Sequence, residues 1–167
     1  MGATKIAKLF DDVKLDVDLK TLTTVKTGGK AEVLIRPKSL KQLTDALCFC
    51  GDNNLPYFVV GEGSNLLASD EGYHGVLFSL APYFCQIGLS DGKVFAQAGA
   101  KTSMLCAFCL KYQLSGAEFM ASIPASVGGA TVMNAGCFGQ TFSDVVYKVE
   151  AVNKYATSAS CEGVCCC

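Results

Sequence analysis

Apolar residues fall along the chain in short period-two runs and in two sets spaced as a helix spaces them. Residues 1 to 20 show only a short amphipathic start. Thr21 to Gly29 is rich in β-branched residues and ends in a turn, and Ala31 to Arg36 is predicted as a strand closed by Pro37. Ser39 is placed to cap a helix over Leu40 to Cys50, with Leu40, Leu43, Leu47 and Cys50 on one face. After the Gly51-Asp-Asn-Asn54 turn, Tyr57 to Val60 reads as a buried strand. This β-α-β order predicts a parallel pair joined by a right-handed crossover. Gly75 to Leu80 is a further strand, and Cys85 to Leu89 with Val94 to Ala98 form a hairpin around Asp91-Gly92, a favourable two-residue turn. A helix over Thr102 to Tyr112 and a strand over Val145 to Val152 complete the pattern.

Two stretches stand outside this periodicity. In the first, Tyr57-Phe-Val-Val60 runs straight into Gly61-Glu-Gly-Ser-Asn65. Glycines let a tight turn take φ > 0, and such a turn gathers backbone N–H groups into a concavity suited to phosphate or pyrophosphate. Ser64 and Asn65 add side-chain hydrogen bonds. A plain β-turn has the same composition, so the residues alone admit both readings. If the turn is a phosphate cradle, Gly63→Val is expected to weaken ligand binding while leaving the protein folded or only mildly destabilised. The second stretch, residues 116 to 139, is dominated by small residues, with Gly128-Gly-Ala130 and Asn134-Ala-Gly136 at its centre. Backbone this bare can lie against a planar ligand with free N–H groups directed at phosphate, or it can serve tight helix packing.

Half of the 167 residues are apolar, 17% are charged and the mean hydropathy is +0.33, so a packed core is expected and disorder is not. No apolar run approaches the length of about 18 residues that a membrane span needs, and the N-terminal lysines precede no apolar signal region. Ile6 stands where a myristoylation signal needs Ser or Thr. Nine of the 14 basic residues lie before position 42, against five acids there, without the density or aromatic interleaving of a nucleic-acid surface. Ten cysteines without a secretory signal read as free, buried thiols in a reducing cytoplasm. Cys106 and Cys109 have redox spacing but sit on an apolar helical face, away from a helix start where a thiol pKa falls. Cys161 and Cys165 lie too far from them, in too different a context, for a zinc site, and no metal is expected.

Neither common nucleotide motif fits. A Rossmann fingerprint starting at Gly61 needs glycine at position 66, which is Leu66, and a P-loop ending at Gly29-Lys30 needs Ser or Thr where Ala31 stands and glycine where Thr24 stands. The chain instead resembles the UDP-N-acetylenolpyruvoylglucosamine reductase family, also called UDP-N-acetylmuramate dehydrogenases. The matching pieces are Thr24-Val-Lys-Thr-Gly-Gly-Lys-Ala31, Gly61-Glu-Gly-Ser-Asn-Leu-Leu67, Asp70-Glu-Gly72 with Gly75, Gly99-Ala100, Ile123-Pro-Ala-Ser-Val-Gly-Gly-Ala130, and Met133-Asn-Ala-Gly136 with Gly139. They follow the family's order and spacing from about residue 20 to residue 150.

The resemblance implies an α+β fold, a vanillyl-alcohol-oxidase-type (PCMH-type) FAD-binding domain of two α+β subdomains over residues 1–82 and 83–155. It further implies non-covalent FAD, with NADPH as reductant. Gly61, Glu62, Gly63, Ser64, Asn65 and Leu66 would hold the pyrophosphate end. Ile123, Pro124, Ser126, Val127, Gly128 and Gly129 would line the flavin and ribityl chain. Gly99, Asn134 and Gly136 would also touch the cofactor, and Phe138 would lie near substrate. Family members reduce an enolpyruvyl ether on UDP-N-acetylglucosamine to the lactyl ether of UDP-N-acetylmuramate, for peptidoglycan synthesis.

Three departures stand against this pattern. Ser122 and Ala125 occupy family glycine positions beside the flavin, and Phe138 replaces a tyrosine. The segments that carry the family's proton-donating serine, arginine and late glutamate, together with the C-terminal substrate-binding domain, have no counterpart, so no catalytic residue is assigned here. Residues 156–167 form a cysteine-rich tail that fits none of the motifs.

Overall fold

The computed structural model describes residues 5–152 and, for the backbone, 158–162. Four strands form the main sheet: β1 (Val13–Asp18), β2 (Lys30–Ile35), β3 (Tyr57–Val59) and β4 (Tyr73–Phe78), in the spatial order β1-β2-β4-β3. β1 pairs antiparallel with β2, while β2 and β3 each pair parallel with β4. Helix α1 (Leu40–Asp52) connects β2 to β3. The two strands that α1 joins, β2 and β3, are parallel in one sheet as expected, with β4 lying between them. β1 lies in the segment where the sequence pattern predicted no element. Its residues do alternate, apolar at Val13, Leu15 and Val17 and charged at Lys14, Asp16 and Asp18, a period-two signal that the sequence-based expectation passed over.

Side chains alternate across this sheet. Val33, Ile35, Val76 and Phe78 face α1 and meet Ala46, Leu47 and Cys50 in one buried cluster. Leu34 and Leu77 point the other way, into a second cluster with Leu19, Ala31 and Val60. Ser39 caps α1 as the sequence predicts, its hydroxyl accepting from Gln42 N–H at 3.2 Å. Leu43 packs against the core, but Leu40 is solvent-exposed in the first turn, beyond the edge of the sheet cluster. Ser39→Ala is expected to cost about 1 kcal/mol, read as a lower urea midpoint at an unchanged slope.

The second half is built around a hairpin and two helices. β5 (Ile87–Ser90) and β6 (Lys93–Ala96) pair antiparallel around Asp91 and Gly92, whose φ values of 50° and 73° are those of a type I′ turn. Helix α2 (Thr102–Lys111), a 3-10 turn at Glu118–Ser122 and helix α3 (Val127–Val132) follow. Leu105, Cys109, Phe119, Met120, Ala130 and Phe142 form their common core. Two short strands, β7 (Gly136–Cys137) and β8 (Gln140–Thr141), make a small hairpin. β9 (Lys148–Val152) pairs antiparallel with β10 (Ser158–Glu162), so the stretch expected to be a tail without motif contains a strand.

Six cysteines among the described residues carry free thiols. Burial pushes the Cys50 thiol up to about 11 and raises that of Cys109, which is the reverse of what a reactive redox dithiol needs. Cys165 lies outside the described residues, and for Cys161 only the backbone is described. Among the described residues no group of three or more His, Cys, Asp or Glu side chains could hold a metal ion, and no helix is long and apolar enough to cross a membrane.

Candidate functional site

A cavity of about 360 Å³ lies between the two halves of the chain, within the size range of small-molecule sites. One wall is made by the carboxyl ends of the parallel strands β3 and β4 and the residues that follow them: Phe58 to Leu66, then Ser79, Leu80 and Ala81. Ligands of open parallel sheets collect at such ends, where successive loops diverge. The facing wall is the small-residue stretch, from Ile123 through α3 to Ala135, with Ala98 and Gly99 beneath it.

The sequence predicted a buried strand over Tyr57 to Val60. The structure buries Val60 but leaves Phe58 and Val59 46% and 50% exposed, because β3 is an edge strand. Both line the cavity, and with Leu80, Ile123, Val132 and Met133 they give it an apolar surface suited to a planar ring.

The turn after β3 has the polarity that an anion requires. Among the described residues, none of the backbone N–H groups of Gly61, Glu62, Gly63, Ser64 or Asn65 finds a protein acceptor. The turn itself is anchored from behind, with Thr24 N–H donating to the Gly63 carbonyl at 3.1 Å. Gly63 has φ +67°, and a Cβ there would land on the Leu22 carbonyl. Glycine is therefore required at this position by the packing of the turn on residues 22–24, which corrects the expectation that Gly63→Val would spare the fold. Gly61 approaches the opposite wall, where a Cβ would meet Ser126 Oγ.

The second stretch serves the cavity differently from the sequence-based expectation. The N–H groups at the start of α3 are occupied: Val127 donates to the Ala100 carbonyl at 2.7 Å, Gly128 to Ala98 at 2.8 Å, and Gly129 to Ser126 Oγ at 3.2 Å. They are not free for phosphate. A Cβ on Gly128 would crowd Ala98, so this glycine serves close packing, while Gly129 faces only Ser126 Oγ. Buried Thr102, which sequence reasoning did not single out, holds this wall. Its N–H donates to the Ala125 carbonyl at 3.0 Å, and its hydroxyl reaches the carbonyls of Ile123 and Ala125.

Eleven of the residues predicted to touch a cofactor line this cavity: Gly61, Glu62, Gly63, Ser64, Asn65, Leu66, Gly99, Ile123, Ser126, Gly128 and Gly129. Four do not. Pro124 lines a smaller adjoining pocket, and Val127 packs into the second-half core. Asn134 has φ +43° and accepts from Ser143 N–H at 2.9 Å, bracing the β7–β8 hairpin. A Cβ on Gly136 would crowd the Gln140 carbonyl within that hairpin. Phe138 is 84% exposed at the hairpin tip, away from the cavity wall.

Among the described residues, Glu62 is the only ionisable side chain on the cavity wall, and its carboxylate accepts from Lys101 Nζ at 2.7 Å. That bond holds the Lys101 ammonium above its ordinary pKa. On the other side of the mouth, Asn65 Nδ2 contacts Met133 Sδ at 3.5 Å. Cys85 lies under the floor, its thiol donating to the Gly99 carbonyl at 3.1 Å and raised in pKa by burial. Glu118 accepts from Gly116 N–H, a turn role. Arg36 pairs with Asp12 at 3.6 Å, just past β2, and His74 pairs with Glu32 at 3.1 Å on the surface.

Residues 31–161 match the family model described as FAD binding domain. The UDP-N-acetylenolpyruvoylglucosamine reductase of Clostridium botulinum (strain Hall) is 38% identical over 147 residues, covering 86% of this chain and 47% of its own length. The solved UDP-N-acetylenolpyruvylglucosamine reductase from Thermus caldophilus superposes with a TM-score of 0.74 at 32% identity, over 90% of this chain and 52% of that one. Cholesterol oxidase from B. sterolicum matches with a TM-score of 0.71 at 15% identity, over 90% of this chain and 32% of that one, a likeness of fold alone. The chain spans about half the length of the curated relatives it matches. With its α+β, PCMH-type fold, the chain belongs to the FAD-binding-domain family and is homologous, over about half of their length, to the UDP-N-acetylenolpyruvoylglucosamine reductases.

Proposed function

We propose that this chain is the FAD-holding part of an enzyme that reduces UDP-N-acetylglucosamine enolpyruvate to UDP-N-acetylmuramate with NADPH, in cytoplasmic peptidoglycan synthesis that serves cell division and cell shape. The observation that carries this reading is the turn at Gly61–Asn65, whose five backbone N–H groups lack acceptors among the described residues where they border an apolar cavity of about 360 Å³. Oriented N–H groups of this kind suit a pyrophosphate, and the apolar walls suit a flavin ring. When bound, FAD would supply two-electron redox chemistry at this site. The chain's own residues bind and orient: the 61–65 turn holds the phosphates, Phe58, Val59, Leu80 and Ile123 exclude water, and Thr102 fixes the Ile123–Ala125 segment. In this reading residues 1–82 and 83–155 are the two subdomains that clasp the cofactor; the buried members of each core cluster fall within one half, and Val152 of β9 packs back against the first-half core.

FAD is bound without a covalent tether in this reading, since no His or Cys side chain lines the cavity among the described residues. The purified chain is expected to show flavin absorbance after incubation with FAD, and acid precipitation is expected to leave the colour in the supernatant. Colour in the pellet would refute the non-covalent assignment, and a titration without saturable FAD binding would refute the reading as a whole. A second reading, a flavin-binding module without catalysis of its own, is favoured by one observation: the only ionisable group on the cavity wall among the described residues is already engaged with Lys101. Turnover with the enolpyruvyl substrate separates the two.

A further inference from the structure

The turn that faces the cavity with unpartnered N–H groups also carries a carboxylate, on Glu62. A negative side chain within a phosphate-binding turn opposes the ligand it should hold, because like charges repel across a low-dielectric wall. Glu62 lines both the cavity and the adjoining pocket, whereas Lys101 lines the adjoining pocket alone. Lys101 is the residue immediately before α2, so it belongs to the other half of the chain, 39 residues away in sequence. Among the described residues its ammonium is the only cation on the walls of either space, and it meets Glu62 Oε2 at 2.7 Å. The two side chains are 55% and 30% exposed, so the pair is neither sealed from water nor free in it.

We propose that Lys101 is a positioning residue for a diphosphate-bearing cofactor: it draws the Glu62 carboxylate toward the adjoining pocket and cancels its charge, leaving the turn N–H groups as the electrostatic face the phosphates meet. This deepens the FAD-binding reading and rests on it. A purely mechanical role, a strap tying the two halves together, makes different predictions. A strap is cut equally by removing either partner. Charge cancellation is lost only when the lysine goes, because removing the glutamate removes the repulsion itself.

The experiment is a titration of the purified 167-residue chain and its variants with FAD and, in parallel, with riboflavin, which carries the ring and no phosphate. Lys101→Met is expected to raise the Kd for FAD about five-fold at low salt, with a smaller effect as salt screens the carboxylate. Riboflavin affinity is expected to stay at the wild-type level. Glu62→Gln, which removes the charge and keeps the turn backbone, is expected to bind FAD as tightly as wild type or more tightly. The Glu62→Gln/Lys101→Met double variant is expected to regain wild-type FAD affinity. Lys101→Met binding FAD like wild type would overturn the proposal, as would both single variants weakening FAD and riboflavin alike. If Lys101→Met does not fold, the double variant decides, and a loss of FAD affinity in it counts against charge cancellation. Absence of FAD binding by the wild-type chain is a separate result, which removes the proposed function and this inference together.

Discussion

Gly63→Val is expected to destabilise the protein by about 3–5 kcal/mol, a large fraction of the stability of an ordinary domain. Two independent penalties combine. The residue has φ +67°, which a β-branched side chain resists strongly. Its Cβ would also land on the Leu22 carbonyl, close to Thr23 Cα, and backbone cannot rotate away as a flexible side chain can. The damage extends beyond the turn, since Leu22 contacts the cluster of Leu19, Ala31, Leu34, Val60 and Leu77 under the sheet. The measurement is a urea or thermal unfolding curve without ligand. A midpoint near wild type would show that the turn can move off residues 22–24 at little cost. With the expected destabilisation, any loss of FAD binding in this variant follows from loss of structure. The role proposed for the turn is better probed at Gly61, which faces the cavity wall at Ser126.

The second large effect concerns turnover. The 167-residue chain is expected to reduce the enolpyruvyl substrate slower than a full-length relative by about 10³-fold or more, even when saturated with FAD. Hydride delivery to the alkene leaves developing negative charge on the neighbouring carbon, which needs a placed proton donor and cationic stabilisation. A positioned general acid typically contributes about 10²–10⁴-fold, and electrostatic stabilisation is often larger. The cavity wall offers neither among the described residues: Glu62 is held by Lys101, and the serines at 64, 79 and 126 have no charged partner. Arg36 is committed to Asp12 and lies off the cavity wall. The check is FAD-dependent NADPH oxidation coupled to formation of UDP-N-acetylmuramate. A near-normal rate would place the acid within this chain, with Glu62 released from Lys101 as the first group to test.

What the sequence determined by itself is what depends on a few consecutive residues. Ser39 caps α1 because the hydroxyl and the Gln42 N–H lie three residues apart. Asp91-Gly92 makes its hairpin because both positions need φ > 0. The strand running into Gly61-Glu-Gly-Ser-Asn65 identified one wall of the cavity, since a glycine turn after a strand has few local alternatives, and the small-residue stretch identified the other. The order and spacing of these motifs were enough to reach the family. The tertiary structure alone decided how they meet. β4 inserts between β2 and β3 because pairing partners are chosen by the buried faces of the whole sheet, to which no local pattern assigns an order. The α3 N–H groups are satisfied by carbonyls of Ala98 and Ala100, nearly 30 residues upstream, so bare backbone that looked available to phosphate is not. Gly63 owes its identity to Leu22, and Glu62 its pairing to Lys101, contacts that span about 40 residues each. Capping and turn geometry act over two or three residues, whereas close approach, charge pairing and hydrogen-bond satisfaction are settled only once distant segments have been packed together.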